Sequence, residues 1–114
     1  MEEARLPDDE PLRLQNLYSY RILDTAPDDA FEEIANLAAD ICDAPIALVS
    51  LVDENRQWFK SCMGLGASET PRDISLCGHA IHDDDIFIIP NAIEDERFRD
   101  NPLVVNEALI FDRI

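Results

Sequence analysis

The stretch Pro45 to Leu65, PIALVSLVDENRQWFKSCMGL, restricts the fold more than any other part of the chain. From Ile46 to Val52 nearly every position is apolar on both alternating faces, a run too short for a helix and too continuous for a surface strand. It reads as a central strand covered on both sides. Asp53, Glu54 and Asn55 interrupt with turn-type polar side chains. Gln57 to Met63 then resumes with alternation, Phe59 and Met63 on one face and Trp58 and Cys62 on the other. The pattern predicts a β-hairpin. Gly64 and Gly66, two of only three glycines, end the second strand where positive φ costs least.

The flanks predict helices that pack on this hairpin. Residues 1–9 are polar and acidic and are expected to fray. A helix starts at Asp9-Glu10-Pro11, with Asp9 as cap and Pro11 in the first turn, where its missing N–H is harmless. Its apolar stripe is Leu14, Leu17, Tyr18 and Ile22. Thr25, with Asp28 reaching back, is placed to cap a second helix. That helix buries Phe31, Ile34, Ala35, Ala38, Ile41 and Cys42 and turns Glu32, Glu33, Asn36 and Asp40 to solvent, until Pro45 closes it. After a loop from Ala67 to Arg72, Asp73 or Ser75 caps a short helix through Ile74, Cys77, Ala80 and Ile81. Ile86 to Ile89 reads as a third short strand. Phe98 anchors the turn from Glu94 to Asp100, Asn101-Pro102 breaks it, and Leu109 to Phe111 is strand-like. Helices followed by paired strands give an α+β domain with an antiparallel sheet.

Charge and cysteine usage narrow the function. Twenty-five acidic against nine basic residues give a net charge of −16, which repels phosphate backbones and anionic lipid, so neither nucleic acid nor a membrane surface is an expected partner. No apolar stretch approaches the roughly 20 residues of a membrane span, and Met1-Glu2-Glu3 opens acidic where a signal peptide is basic. A cytoplasmic location is expected. Cys42, Cys62 and Cys77 are an odd set without CxxC spacing, which argues against a disulfide framework and a zinc site and for mostly buried free thiols.

Six blocks in order then carry a resemblance: Tyr20-Arg21-Ile22-Leu23-Asp24-Thr25, Ile46 to Asp53, Gln57-Trp58-Phe59-Lys60, Glu69-Thr70-Pro71-Arg72, Leu76-Cys77-Gly78-His79-Ala80-Ile81 and Asp100-Asn101-Pro102-Leu103-Val104. Together they resemble the GAF domains at the sensory end of bacterial histidine kinases and diguanylate cyclases. The resemblance implies a GAF-like antiparallel sheet with helices packed on one face and a pocket under loops on the other. It implies a non-catalytic role: binding an unidentified small molecule, or dimerising, and biasing an output kinase or cyclase domain. The family pattern continues beyond Ile114. Residues 10–114 are therefore expected to be the N-terminal two-thirds of the domain, the last strands and C-terminal helix missing, with an open sheet edge that favours a homodimer.

Four residues are candidates for ligand binding: Phe59, Asp73, Cys77 and His79. A thiol in the first turn of a helix beside an imidazole is the arrangement that acidifies cysteine. Bilin-binding GAF domains, which this stretch resembles, attach chromophore through a cysteine near here, but their histidine follows directly. Gly78 intervenes in this chain, and i and i+2 do not face each other on a helix. The free methionine sulfoxide reductase, another GAF-fold protein, uses redox cysteines, whereas Cys42 and Cys62 read as packing. His79, His82, Asp83 and Asp85 have metal-like spacing, yet an acidic helix end is ordinarily a solvated charge run, and no metal is expected. A pocket-lining role for Cys77 and His79 is the leading expectation, with the cavity between the sheet and the segment from Arg72 to Asn91.

Overall fold

A computed structural model describes residues 2–82 and 84–106, without the side chains of 105 and 106. The elements run α1 (Glu10–Ser19), α2 (Asp29–Cys42), β1 (Ala47–Val52), β2 (Arg56–Met63), β3 (Glu69–Pro71), a 3-10 turn (Arg72–Ile74), α3 (Cys77–Ala80) and α4 (Pro102–Asn106). The strands form one antiparallel sheet in the order β1-β2-β3, an α+β arrangement.

The hairpin forms where the apolar ribbons and the Asp53–Asn55 bend place it. Leu51 faces Trp58 and Val52 faces Gln57 across the ladder, and Asp53 N–H donates to Arg56 O at 2.8 Å. The register slips between Val49 and Ser50: Val49 pairs with Ser61 but Ser50 with Phe59. Lys60 is thus the extra residue of a β-bulge, which bends β2 and breaks the simple alternation. Among the described residues β2, not β1, is the central strand, and β1 is half-buried except at buried Val52. Gly64 has φ +83°, and a Cβ there would lie 2.0 Å from Pro45 O, so this position admits only glycine. Gly66 has no positive φ and open space around it, contrary to the expectation that both glycines are needed there.

The third strand corrects the sequence reading. Ile86 to Ile89 pairs with nothing as a strand; Ile86 and Ile88 are 88% and 65% exposed while Ile89 is buried. An apolar run extends and packs alternate residues without needing a ladder. β3 is instead Glu69–Pro71, too short and too polar to be read as a strand.

Two caps also differ. Asp9 occupies the N-cap of α1 without a side-chain hydrogen bond. Asp28, not Thr25, caps α2, its carboxylate accepting the Ala30 N–H at 2.9 Å. Thr25 is used otherwise: its hydroxyl donates to Ile22 O and accepts from Lys60 Nζ, the latter at 2.8 Å. α2 ends at Asp43, which adopts the left-handed conformation, so the helix stops before Pro45.

α2 packs on β1 and β2 through small residues. Ala35 and Ala39 are buried and Phe31 half-buried, whereas Ile34, Leu37 and Ile41 are exposed, as are Ala38 and Cys42. The expected core stripe of Ile34, Ala38, Ile41 and Cys42 is therefore rotated outward. Two alanines at i and i+4 let the helix backbone approach the sheet, and the larger side chains cannot share that contact. Lys60 fills the gap, its ammonium 5.8 Å from the Phe31 ring centroid.

A second cluster, Leu76, Ile89, Ala92, Phe98 and Val104, closes the other end, with Phe87 and Leu103 against it. Phe98 is fully buried, the anchor the sequence indicated. Asn101-Pro102 ends the turn, as expected, and also starts α4: Asn101 Oδ1 accepts the Leu103 N–H at 2.9 Å and its Nδ2 donates to Ile74 O at 2.8 Å. The strand-like Leu109 to Phe111 lies outside the described residues.

Candidate functional site

The strand alternation sorts β2 into two faces. Lys60 turns toward α2, with its ammonium over the Phe31 ring and bonded to Thr25 and Ala26 just ahead of that helix. Gln57 and Phe59 turn the other way and, with Leu48 of β1 and Ile46 just before it, form one wall of a cavity of about 330 Å3. The opposite wall is Leu76, Cys77 and Ala80 around α3 and Phe87 and Ile89 beyond it. The cavity thus lies between the sheet and the segment that follows β3, and its volume is in the range of small-molecule pockets.

One corner is polar, and its hydrogen bonds are ordered by chemistry. Ser75 Oγ accepts the Gly78 N–H at 3.1 Å, so Ser75 caps α3 in effect, as one of the two residues the sequence put forward. Its own proton goes to Gln57 Oε1 at 2.6 Å. That bond fixes the orientation of the amide, and Gln57 Nε2 donates to Cys77 Sγ at 3.0 Å. Ser50 Oγ also approaches Cys77 Sγ, at 3.6 Å. Thr70, the ladder partner of Gln57, lines the same corner, and its buried Oγ1 has no partner among the described residues.

The four candidate residues separate. Phe59 and Cys77 share the cavity. Asp73 is exposed in a different groove, with Glu3, Leu6, Glu10 and Leu14. His79 lines none of the three grooves described; its ring packs edge-on to Phe98 with centroids 4.9 Å apart, and Nε2 contacts Glu2 O at 3.0 Å. His82 Nε2 similarly meets Arg5 O at 2.7 Å. Among the described residues no group of three or more His, Cys, Asp or Glu is arranged to hold a metal ion. Gln57, Ser75 and Thr70 were missed as candidates. Alternation alone puts Gln57 on the Phe59 face, so that signal was present; the pairing of Thr70 with Gln57 depends on a strand the sequence did not announce.

Two ion-pair hubs hold the frame around this cavity. Arg72 forms a two-pronged pair with the Glu10 carboxylate, Nη2 to Oε2 at 3.2 Å, and Arg13 grips the same carboxylate with two contacts of 2.9 Å. Arg13 also donates to Val52 O at 2.7 Å and Arg72 to Asp53 O and Glu54 O at 3.2 and 3.3 Å. The bonds from Arg13, then those from Arg72, hold the Glu10 carboxyl down to about 2. The second hub is Arg56, which binds Asp24 through two contacts of 2.9 and 2.8 Å and Asp53 at 3.0 Å. Its hydrogen bonds to these carboxylates raise its own pKa. The Ile22-Leu23-Asp24-Thr25 block is thereby explained as a clasp: Asp24 and Thr25 fasten the α1–α2 connector to Arg56 and Lys60 of β2.

The thiols differ in their surroundings. Cys42 is exposed. Burial pushes the Cys62 thiol up in pKa, and the thiol donates to Leu65 O at 3.1 Å. No helix among the described residues is long and apolar enough to cross a membrane.

Comparison with known proteins agrees with this geometry. A family sequence model described as GAF domain matches residues 26–110. A cyclic di-GMP phosphodiesterase of Pseudomonas aeruginosa is 40% identical over 104 residues, which make up 91% of this chain and 18% of that protein. The chain therefore spans less than a fifth of the length of this curated relative.

Proposed function

The chain belongs to the GAF domain family, and on that premise we propose that it is a non-catalytic sensory module that binds a small molecule between β2 and α3. The observation that carries this reading is the cavity of about 330 Å3, apolar except for one corner organised by Gln57, Ser75 and Cys77. Cys77 and His79 support no catalytic pair: Cys77 is engaged by Gln57, and His79 by Phe98 and Glu2. Occupancy signals by population shift, stabilising the arrangement in which α3 and the sheet are held apart by ligand. The 3-10 turn joins this wall to Arg72, and Arg72 grips α1, so ligand preference for one placement of α3 bears on α1. Output lies in a separate domain of a cytoplasmic signalling protein. The relative named as a cyclic di-GMP phosphodiesterase favours turnover of that dinucleotide as the output, beside the kinase and cyclase expected from the sequence.

Native mass spectrometry of the intact protein purified from its own host tests this. The expected result is a small-molecule adduct that disappears in Ala80→Trp, which fills the cavity. Bare mass in both proteins, with no stabilisation of either by any member of a metabolite library, contradicts it.

A second reading, a ligand-free interaction module, is favoured by the exposed Ile34, Leu37 and Ile41 on α2. The occupant of that face is then a second copy of the chain, and concentration-dependent size is its signature.

A further inference from the structure

We infer that the ligand of this cavity is uncharged and mainly apolar, with one hydrogen-bond acceptor, such as a carbonyl, directed at the corner formed by Gln57 and Thr70. The inference rests on the sensory reading above and goes further by assigning a chemical class.

Charge is the first argument. Among the described residues none lining the cavity is charged. The basic side chains nearest in sequence to the lining are committed elsewhere, Arg56 to Asp24 and Asp53, Lys60 to Thr25 and Ala26, and Arg72 to Glu10. An anion entering this space loses its hydration without meeting a cation, and the net charge of −16 opposes its approach as well. Phosphates are disfavoured for the same reason, so a cyclic dinucleotide is the wrong class of ligand for this cavity. Size agrees: about 330 Å3 holds on the order of ten waters at roughly 30 Å3 each.

The polar corner supplies the second argument. Gln57 Nε2 carries two N–H groups, and one is used on Cys77 Sγ. Thr70 is 9% exposed, and its Oγ1 is buried with no partner among the described residues. An unsatisfied buried hydroxyl destabilises the empty domain, and native structures retain such groups where they have a use. Gln57 and Thr70 are ladder partners that both line the cavity, and two such donors beside an otherwise apolar lining match an acceptor such as a carbonyl oxygen on an apolar body.

Three probes of similar size separate the possibilities in NMR titrations of the intact protein: acetophenone, neutral with a carbonyl; benzoate, its charged analogue; and ethylbenzene, with no acceptor. Acetophenone is expected to bind best, benzoate at least tenfold more weakly, and ethylbenzene three- to tenfold more weakly. Thr70→Val is expected to weaken acetophenone three- to tenfold, to leave ethylbenzene unchanged and to raise the melting temperature of the empty protein. Benzoate binding as tightly as acetophenone overturns the uncharged class while leaving the pocket intact. Equal binding of acetophenone and ethylbenzene, unaffected by Thr70→Val, overturns the polar corner. Failure of all three probes, or binding indifferent to Ala80→Trp, overturns this inference together with the sensory reading.

Discussion

At the scale of single residues, the most consequential side chain lies outside the apolar stripe of its own helix. Glu10 is an acidic residue in the first turn of a helix, which reads as ordinary dipole complementation. In the folded chain it is buried and shared between Arg13 and Arg72, a contact across 62 positions that no local pattern encodes. Its folded pKa of about 2 lies below the ordinary 4.5, so its contribution to stability is complete above about pH 4.5 and is lost as pH falls toward 2. Glu10→Gln leaves two arginines partly buried with no anion between them and is expected to destabilise by roughly 2–3 kcal/mol at pH 7. Urea unfolding measured from pH 7 to pH 2 is expected to show the gap between variant and wild type closing below pH 4.5. A gap that stays constant across that range contradicts the assignment.

At the scale of elements, the hairpin was legible because its signal is local: two apolar ribbons, an acidic bend, and Gly64 where backbone crowding by Pro45 O excludes a side chain. That Phe59 and Cys77 share one cavity carries no local signal; the pocket was an expectation from the family resemblance. α2 was located correctly but its rotation was misjudged, because an apolar stripe is assigned to the core by size, while helix–sheet distance is set by whichever residues permit the closest approach. Ala35 and Ala39 win that contest over Ile34 and Ile41. Exposed Leu37→Glu and Ile41→Lys are accordingly expected to change stability by no more than about 0.5 kcal/mol. Ala39→Leu, which forces a larger side chain against the sheet, is expected to cost about 1–3 kcal/mol. Chemical denaturation of the three variants decides it; the reverse ranking would restore the stripe as core. The bulge at Lys60 and the short β3 were not legible, since neither carries an apolar pattern of its own.

For the molecule as a whole, two packed regions flank one hollow. α2 closes the sheet on one side, and the Leu76, Ile89 and Phe98 cluster closes the chain on the other. β2 contributes to both, with Lys60 toward α2 and Gln57 and Phe59 toward the cavity. The sequence resemblance anticipated this division, helices on one face and a pocket on the other, but placed Asp73 and His79 in the pocket group. Folding instead turns Asp73 toward the α1 groove and His79 toward Glu2 and Phe98, because α3 is a single turn that presents only Cys77 and Ala80 to the sheet.

The central claim is that an apolar hollow stands open between β2 and α3. Xenon, small, neutral and taken up by dry apolar cavities, probes it directly. In methyl NMR spectra recorded under xenon pressure, saturable shifts are expected for Leu48, Leu76, Ala80 and Ile89, with none for Ile34 or Ile41 on the outer face of α2. An absence of saturable shifts at the four lining residues, or equal shifts on both sets, would contradict the account.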